Sequence, residues 1–420
     1  MGAFKHICSL LLRPLKRPTA FITKGMASLL ILGICLQSCI TDFEGQVGGS
    51  AEVLVVGAIL TNELKKQELA LSRSYSFENA GPRYETDAQV QVVSSDGQTF
   101  SFYETPNGRY KSVNAFAAQE GRTYQLEITT VTGDAYVSSP MGLPPPTSLE
   151  NLVATASSNE QGQAGISITA NGSGPATATK FRYDFEENWK IVAPYWSPYD
   201  LLVRSEGRTQ INLAVVDRET EEQTCYGSAR PQEVLLNSTA SLSSNEVVNF
   251  PIRFIAKDNY FLQHRYSIGV KQYGLSDESY AYYQTLQRLS MAADNFFSED
   301  QPGFLQGNVV AVADPTKPVA GYFEVSSVSE KRIFINFQDY YPGEPKPAYV
   351  VECVLTAPSA DINAPVGGRV LLNAIYNNVV RYYGINNGLV PGGSTFVMVS
   401  PKCGDCTTLG SNIKPDFWID

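Results

Sequence analysis

Two of the seven cysteines stand at a spacing that can do chemistry, in Cys403-Gly-Asp-Cys406 close to the C-terminal end. A Cys-x-x-Cys pair serves as a redox dithiol, as half of a zinc site, or as part of a disulfide framework. A redox dithiol needs a thioredoxin-like βαβ context, whereas the surroundings of Cys403 indicate strand and loop. A zinc site usually adds a second such pair or histidines. The choice therefore depends on the cellular compartment.

The N-terminal segment indicates that compartment. Five basic residues and no acidic residue precede Asp42, and the apolar run from Met26 to Leu36 is too short to span a bilayer. The run ends in Leu36-Gln-Ser-Cys39, which resembles the bacterial lipobox, whose cysteine is diacylated and becomes the mature N-terminus. We interpret residues 1–38 as a lipoprotein signal peptide and Cys39 as the lipidation site. A plain secretory signal or an N-terminal membrane helix is the alternative.

Four cysteines remain after the signal peptide and Cys39 are set aside: Cys225, Cys353, Cys403 and Cys406. In an oxidising compartment an even number predicts two disulfides, for which three pairings exist. Pairing the tail with Cys225 or Cys353 closes long loops, which stabilises most in the chain-entropy model, so long-range pairing is mildly favoured over a Cys403–Cys406 bond. Metal binding and redox chemistry stay open as alternatives.

Charge and histidine content limit the function. Removing residues 1–38 leaves 27 basic side chains against 42 acidic ones, and such an acidic surface repels nucleic acid. The two histidines are His6, which lies in the signal peptide, and His264, which we interpret as structural. The sequence contains no Gly-x-Ser-x-Gly, P-loop or His-Glu-x-x-His motif. We therefore expect no enzymatic activity, no catalytic residue, no metal and no cofactor.

The pattern of short strands predicts a mainly β protein. Residues 39–50 form a flexible tether, and residues 51–142 contain alternating runs, an Asp96-Gly97 hairpin turn and an EGRTY stretch similar to the tyrosine corner of immunoglobulin-like folds. This first part is predicted to be an immunoglobulin-like or transthyretin-like β-sandwich. A Pro-rich connector at 143–148 then leads to a larger β-rich domain over 149–420. Its predicted strands include TKFRYDFEENWKIV, AGYFEVSSVSEKRIFINF and AYVVECVL.

One segment of the second region has helical rather than strand periodicity. Ser276 is a good N-cap, and Tyr282, Leu286 and Leu289 recur at helical spacing, so a packed helix is predicted near 277–293. Two aromatic loops stand out in the same region. Their residues are core packing or contacts for a sugar ring or a partner protein: Trp189, Tyr195, Trp196, Tyr199, Phe296 and Phe297.

Several stretches together resemble a Bacteroidota outer-membrane lipoprotein family catalogued as domain of unknown function 4249. They are the lipobox cysteine, GRTYQLEI, CYGSARP, YSIGVKQYGLSDESYAYYQTLQ, GNVVAVADPTKPVAGYFEVSSVSEKRIFI and CGDCTTLGSNIKPDFW. The resemblance implies a lipid anchor at Cys39, later cysteines as a framework, and genes often placed beside TonB-dependent transporters. This chain departs from the pattern of surface-exported members, because only Asp42 and Glu44 replace an acid-rich run after the cysteine.

The resulting hypothesis is a non-enzymatic accessory or cargo-binding component of a TonB-dependent nutrient uptake system. It would be lipid-anchored in the outer membrane, with the extracellular face favoured over the periplasmic face, and its partner would be a TonB-dependent receptor. A free-standing surface module for glycan or protein is the first alternative. A carboxylate-based hydrolase is the second, and it needs two carboxyl groups roughly 5–10 Å apart across a cleft.

Overall fold

The computed structural model describes residues 53–74, 83–230, 233–293, 305–364 and 367–420, although no side chain is described for 291–293. The predicted signal peptide, tether and lipidation site Cys39 lie outside the described residues, as do Phe296 and Phe297. None of the described helices is both long enough and apolar enough to cross a membrane.

Strands dominate the described chain, which confirms the predicted mainly β fold. The strands are β1 (Leu54–Thr61), β2 (Glu68–Arg73), β3 (Arg83–Tyr84), β4 (Gln89–Ser94), β5 (Thr99–Thr105), β6 (Arg109–Ser112), β7 (Thr123–Thr129), β8 (Ala135–Ser138), β9 (Met141–Gly142), β10 (Ser148–Ser158), β11 (Ala164–Ser173), β12 (Lys180–Val192), β13 (Tyr199–Glu206), β14 (Ile211–Asp217), β15 (Thr224–Ala229), β16 (Leu235–Ser238), β17 (Glu246–Ala256), β18 (Arg265–Gly274), β19 (Val309–Ala311), β20 (Val319–Asn336), β21 (Arg381–Ile385) and β22 (Phe396–Val399). The helices are α1 (Asp277–Ala293), α2 (Phe337–Tyr340), α3 (Gly368–Tyr376) and α4 (Pro401–Gly404).

Period-two alternation forms the N-terminal strands as predicted. In β4 the side chains of Val90 and Val92 are buried, and they pair across the hairpin with Phe102 and Phe100. The turn between them requires Gly97, whose φ is +84°. Tyr124 has the hydrogen bond expected of the predicted tyrosine corner. Its buried hydroxyl accepts a hydrogen bond of 2.8 Å from the backbone N–H of Gln119, five residues earlier.

Within the described residues, one large sheet runs in the order β15-β12-β18-β20-β1-β2-β6-β5-β4-β7-β8-β19. Its N-terminal strands enclose a first core, to which β20 contributes Val319, Phe323 and Val325. The 18-residue strand β20 pairs in parallel with β1 and then, further along, antiparallel with β18. One strand therefore belongs to both halves of the sheet.

A second core lies on one face of β12, β18 and β20. There the three-stranded sheet β10-β11-β17 supplies Ile166 and Ile168, which pack in the same cluster as Phe181, Ile268 and Ile335. Residues 143–148, predicted as a connector, join the last strand of the first core to β10 of the second. The described residues nevertheless form a single compact unit, because β20 is common to both cores.

The predicted helix is present with the expected bounds. The Oγ of Ser276 accepts a hydrogen bond of 3.1 Å from the backbone N–H of Ser279 and so caps α1. Two details of the second region differ from the prediction. The run AYVVECVL, predicted as a strand, forms no strand, since its only ladder contact is a bridge from the following Thr356 to Met398. Helix α3 is an additional nine-residue helix, which starts after two glycines without a side-chain cap.

Candidate functional site

The face of β12, β18 and β20 that points away from the second core is polar. Strand alternation places every second residue there, and the pairing registers align them in rows, such as Asp184–Lys271–Glu330 and Glu186–Gly269–Arg332. We call this surface the polar face. Its outward residues, with Arg265 and Asn336 at the far end, are Arg182, Asp184, Glu186, Asn188, Lys190, Arg265, Ser267, Gly269, Lys271, Tyr273, Glu330, Arg332 and Asn336.

An open groove of about 460 Å³ lies in the middle of the polar face. It is lined by Asp184, Glu186, Arg230, Lys271, Glu330 and Arg332, together with Phe185, Gly269 and Tyr273. A side chain at position 269 would meet the guanidinium of Arg332 at 2.5 Å, so glycine there lets Arg332 lie across the sheet. The groove is thus a shallow site whose floor and walls carry both signs of charge.

The charges of the groove are paired with one another. Lys271 Nζ lies 3.1 Å from Glu63 and 3.3 Å from Glu330, while Arg230 lies 3.1 Å from Glu186. Burial is the largest single influence on Lys271 and opposes its charge, but the hydrogen bonds and the attraction to Glu63 and Glu330 together outweigh it and raise the pKa of Lys271. Burial lowers the pKa of Arg332, an effect that Glu186 offsets in part. Groove charges therefore hold each other in place.

Helix α1 covers one end of the polar face through a buried ion pair. The Arg182 guanidinium is stacked between the rings of Tyr273 and Tyr283, 4.1 and 4.8 Å from their centroids. Its Nη2 lies 3.4 Å from Glu324, which is 0% exposed, and its Nη1 lies 2.6 Å from Asp184. Burial disfavours the charged arginine, but these carboxylates, Glu324 foremost, raise the pKa of Arg182 further. This cluster fixes α1 on the sheet.

The C-terminal tail crosses the other part of the polar face. Phe417 lies over the guanidinium of Arg332 at 3.7 Å, and Trp418 packs edge-on against Phe334 at 5.6 Å. Disulfides hold the start of this tail, since Cys406 bonds to Cys225 and Cys403 bonds to Cys353. The two cysteines of the Cys-x-x-Cys pair thus bind two different distant cysteines, which is the long-range arrangement that the loop argument favoured.

A different surface is formed by the residues that follow Cys353. Residues 354–399 contain three charged residues in 46, against 18% of the whole chain, and with the hairpin β13–β14 they share a small core of Leu201, Leu371, Tyr382 and Met398. We call the described residues 199–217, 354–364 and 367–399 the low-charge lobe. Several of its large apolar side chains are exposed, namely Leu202, Val354, Val370, Tyr376, Val379 and Leu389.

The four aromatic residues of the predicted contact set that the structure describes do not come together on a surface. Trp189 is 5% exposed and stacks on Phe261 at 3.6 Å, so burial removes it from the predicted contact set. Trp196 is half-buried against the second core, and Tyr195 packs edge-on against Tyr383 at 5.1 Å. Tyr199 alone among these four is clearly exposed, and it belongs to the low-charge lobe. Of the two interpretations left open for Trp189, core packing is the one observed, because strand alternation places this side chain in the second core.

The charged groove itself was missed at the sequence level. A signal was available, because Arg182, Asp184 and Glu186 alternate along one predicted strand and Glu330 and Arg332 along another. Among the described residues, no group of three or more His, Cys, Asp or Glu side chains is placed to hold a metal ion. The surfaces described here offer charge pairs, rings and apolar side chains, which are groups suited to binding.

Comparisons with known proteins identify a family and include a weak structural likeness. No curated protein matches the sequence. The crystal structure of a DUF4785 family protein from Legionella pneumophila is 13% identical, with a TM-score of 0.17, and the match covers 52% of this chain and 51% of that protein. The chain therefore spans about half the length of that protein, and a TM-score this low does not indicate a shared fold. A family model described as Domain of unknown function (DUF4249) matches residues 40–332, more than half of the sequence, and the chain therefore belongs to the DUF4249 family.

Proposed function

We propose that this chain is a lipid-anchored outer-membrane protein that binds rather than catalyses. It acts as an accessory or cargo-binding component of a TonB-dependent uptake system and sits on the extracellular face. The lipobox-like stretch ending in Cys39 supports the anchor. The main support for a partner-binding role is the low-charge lobe. It has exposed apolar side chains and few charges, as the centre of a protein interface does.

The low-charge lobe is suited to docking because its exposed side chains stand on a fixed support. Val370 and Tyr376 belong to helix α3, whose opposite side is anchored in the small core by Leu371. The Cys353–Cys403 disulfide ties the segment entering the lobe to α4. A pre-ordered surface loses little conformational entropy on binding, which favours a lasting complex.

The proposed occupant of this surface is the receptor rather than a second copy of the chain. The chain has a net charge of −10, so two copies repel each other at long range. A β-barrel receptor with a neutral apolar rim at its outer loops carries no such penalty. The lobe carries four acidic and four basic side chains, so its own charges sum to zero and add little repulsion. Of these, Arg381 is already paired with Asp405 at 3.1 Å.

Affinity purification of the tagged, lipidated full chain from detergent-solubilised membranes tests the proposal. We expect a TonB-dependent receptor in near-equal amount with the native chain, and its loss with the double variant Val370→Glu/Val379→Glu. Both valines are more than half exposed, so charge there leaves the fold intact. The matched control is Val131→Glu/Val248→Glu, which changes two equally exposed valines outside the lobe and should retain the receptor.

Two outcomes of that experiment contradict the proposal. If no β-barrel receptor is recovered from any variant, the transporter role fails and a free-standing module for glycan or protein becomes the better description. If the lobe variant and the control retain the receptor equally, the docking surface lies elsewhere. The hydrolase alternative is weaker, because the groove carboxylates of Asp184, Glu186 and Glu330 each contact a cation in an ion pair.

A further inference from the structure

A second cavity, of about 330 Å³, lies at the far end of the polar face, beyond the tail. Lys190 of β12, Arg265 of β18 and Asn336 of β20 line it, together with His264, Lys346 and Asp420. We call it the basic pocket, since it holds three permanent cations and a histidine against one carboxylate. Its volume is within the range of roughly 300–1,000 Å³ found for small-molecule sites.

The cations of the basic pocket lack the partners that the groove cations have. Within the described residues, neither Arg265 nor Lys346 makes an ion pair or a side-chain hydrogen bond. The Arg265 guanidinium contacts only the ring of Phe334, at 4.9 Å, and its Nε is buried without a hydrogen-bond partner. Lys190 has a single weak contact, 3.6 Å from Asp420. Leaving the buried Nε–H of Arg265 unsatisfied costs free energy, and the exposed ammonium of Lys346 is available to a ligand.

The positive charge of this pocket contrasts with the chain as a whole. Negative charge elsewhere on a chain of net charge −10 repels anions, so an anion finds favourable potential only where cations are concentrated. Burial, followed by the charges of Lys346 and Lys190, lowers the pKa of His264. The lysine charges that disfavour protonation of the imidazole would attract an anion that enters the pocket.

We propose that the basic pocket binds a small ligand through an anionic oxygen group, a carboxylate or a phosphate. Arg265 supplies a planar guanidinium, and Lys190 and Lys346 supply point charges. Asn336 adds an uncharged amide for the rest of the ligand. This site does not depend on the proposed transporter role.

Binding at this site is coupled to a proton. The charged groups that face His264 are Lys190 on β12, Arg265 on β18, Lys346 on the segment after α2, and Asp420 on the tail. A bound anion offsets the three cations, which raises the pKa of His264 back towards its ordinary value. The protonated imidazole then adds a further attraction, so affinity for the anion increases as the pH falls through the range in which His264 titrates.

Three sugars of the same ring structure test the inference by calorimetry on the full chain: glucose, glucuronate and glucose 6-phosphate. We expect glucuronate or glucose 6-phosphate to bind and glucose not to bind. Binding of only one acid identifies carboxylate or phosphate as the group selected, and binding of both identifies a general anion site. If neither acid binds at millimolar concentration, or if glucose binds equally, the proposal is overturned.

Two variants place the binding in this pocket. Lys346→Gln and Arg265→Gln should each lower the affinity for glucuronate or glucose 6-phosphate by about tenfold. This is the effect expected when one charge-assisted hydrogen bond is lost. The control is Lys66→Gln, an exposed lysine on the first core, which should change nothing. NMR supplies a second readout, because His264 should titrate at higher pH with the acid present. His264 is the single histidine after residue 38, so its signal in the processed chain needs no further assignment. Equal affinity in Lys346→Gln and Lys66→Gln would contradict the site.

Discussion

The groove and the basic pocket lie on the same face of the same sheet, but their charges are arranged differently. In the groove, Lys271 has two carboxylate partners and Arg230 has one. In the basic pocket, Arg265 and Lys346 have none among the described residues. Phe417 and Trp418 of the tail lie between the two regions. Paired charges stabilise a surface, whereas unpaired cations in a cavity remain available to a ligand. Four tests address that difference.

The largest effect should come from the most buried pair. Replacing Glu324 with Gln leaves the buried Arg182 without its innermost carboxylate, and we expect the free energy of unfolding to fall by about 3 kcal/mol or more. Urea unfolding of the full chain measures this. The control is Glu330→Gln on the same strand, whose half-exposed side chain should change stability by less than about 1 kcal/mol. A similar loss of unfolding free energy in both variants would show that burial does not make the Glu324 ion pair more important to stability than the Glu330 pair.

The next effect concerns the tail between the two regions. The double variant Cys225→Ser/Cys406→Ser removes the disulfide of 181-residue separation, and we expect a loss of about 2–5 kcal/mol in unfolding free energy. It should also weaken the binding of glucuronate or glucose 6-phosphate at the basic pocket, because Asp420 and Lys190 are then no longer held in their relative positions. Calorimetry alongside urea unfolding checks both. A variant that unfolds more easily but binds the acid as before would show that the pocket does not need the tail.

A smaller difference is expected between one paired and one unpaired lysine. Lys271→Ala removes contacts to Glu63 and Glu330 and should cost up to about 1 kcal/mol, since the pair is partly screened by solvent. Lys346→Ala removes no ion pair of the described structure and should leave stability within about 0.5 kcal/mol. Urea midpoints of the two variants provide the comparison. Equal destabilisation would contradict the distinction between the groove and the pocket.

The smallest effect is the pH dependence that His264 contributes. Its pKa in the folded protein lies below the ordinary value of 6.5, so the folded state binds fewer protons than the unfolded state in that range. The His264 contribution is therefore constant above that value, and stability falls as the pH drops below it, until the folded form also protonates. We expect His264→Gln to lose less stability than the native chain between pH 7.5 and pH 5.5. If the native chain and His264→Gln show the same pH dependence of stability, His264 does not contribute to it.

Local structure could be predicted from the sequence where it depends on near neighbours. The Asp96-Gly97 turn, the capped helix after Ser276 and the corner at Tyr124 are all determined within a few residues. The strand predicted over AYVVECVL did not form because β-propensity needs a neighbouring edge to pair with, and the nearest ladder contact is the single bridge between the following Thr356 and Met398. Local composition contains no information about which edge is free.

The candidate site was harder to predict than the strands. Gly269 and Arg332 are 63 positions apart in sequence, and only the antiparallel pairing of β18 with β20 places one beside the other. Lys190, Arg265 and Lys346 converge for the same reason, through strand register and the path of the segment after α2. Aromatic residues attract attention in a sequence, but Trp189 shows that strand alternation decides whether such a side chain reaches the surface.

The position of β20 has a consequence for how the chain matures. A chain is synthesised from its N-terminus, so β1 appears long before Val319–Val325, the residues that pair beside it and complete its core. Until then the edge of β1 is an open template for other extended chains. Contacts between residues so distant in sequence also form slowly. We therefore expect the nascent chain to depend on a holding chaperone until β20 is made, and chains that stop before β20 to aggregate.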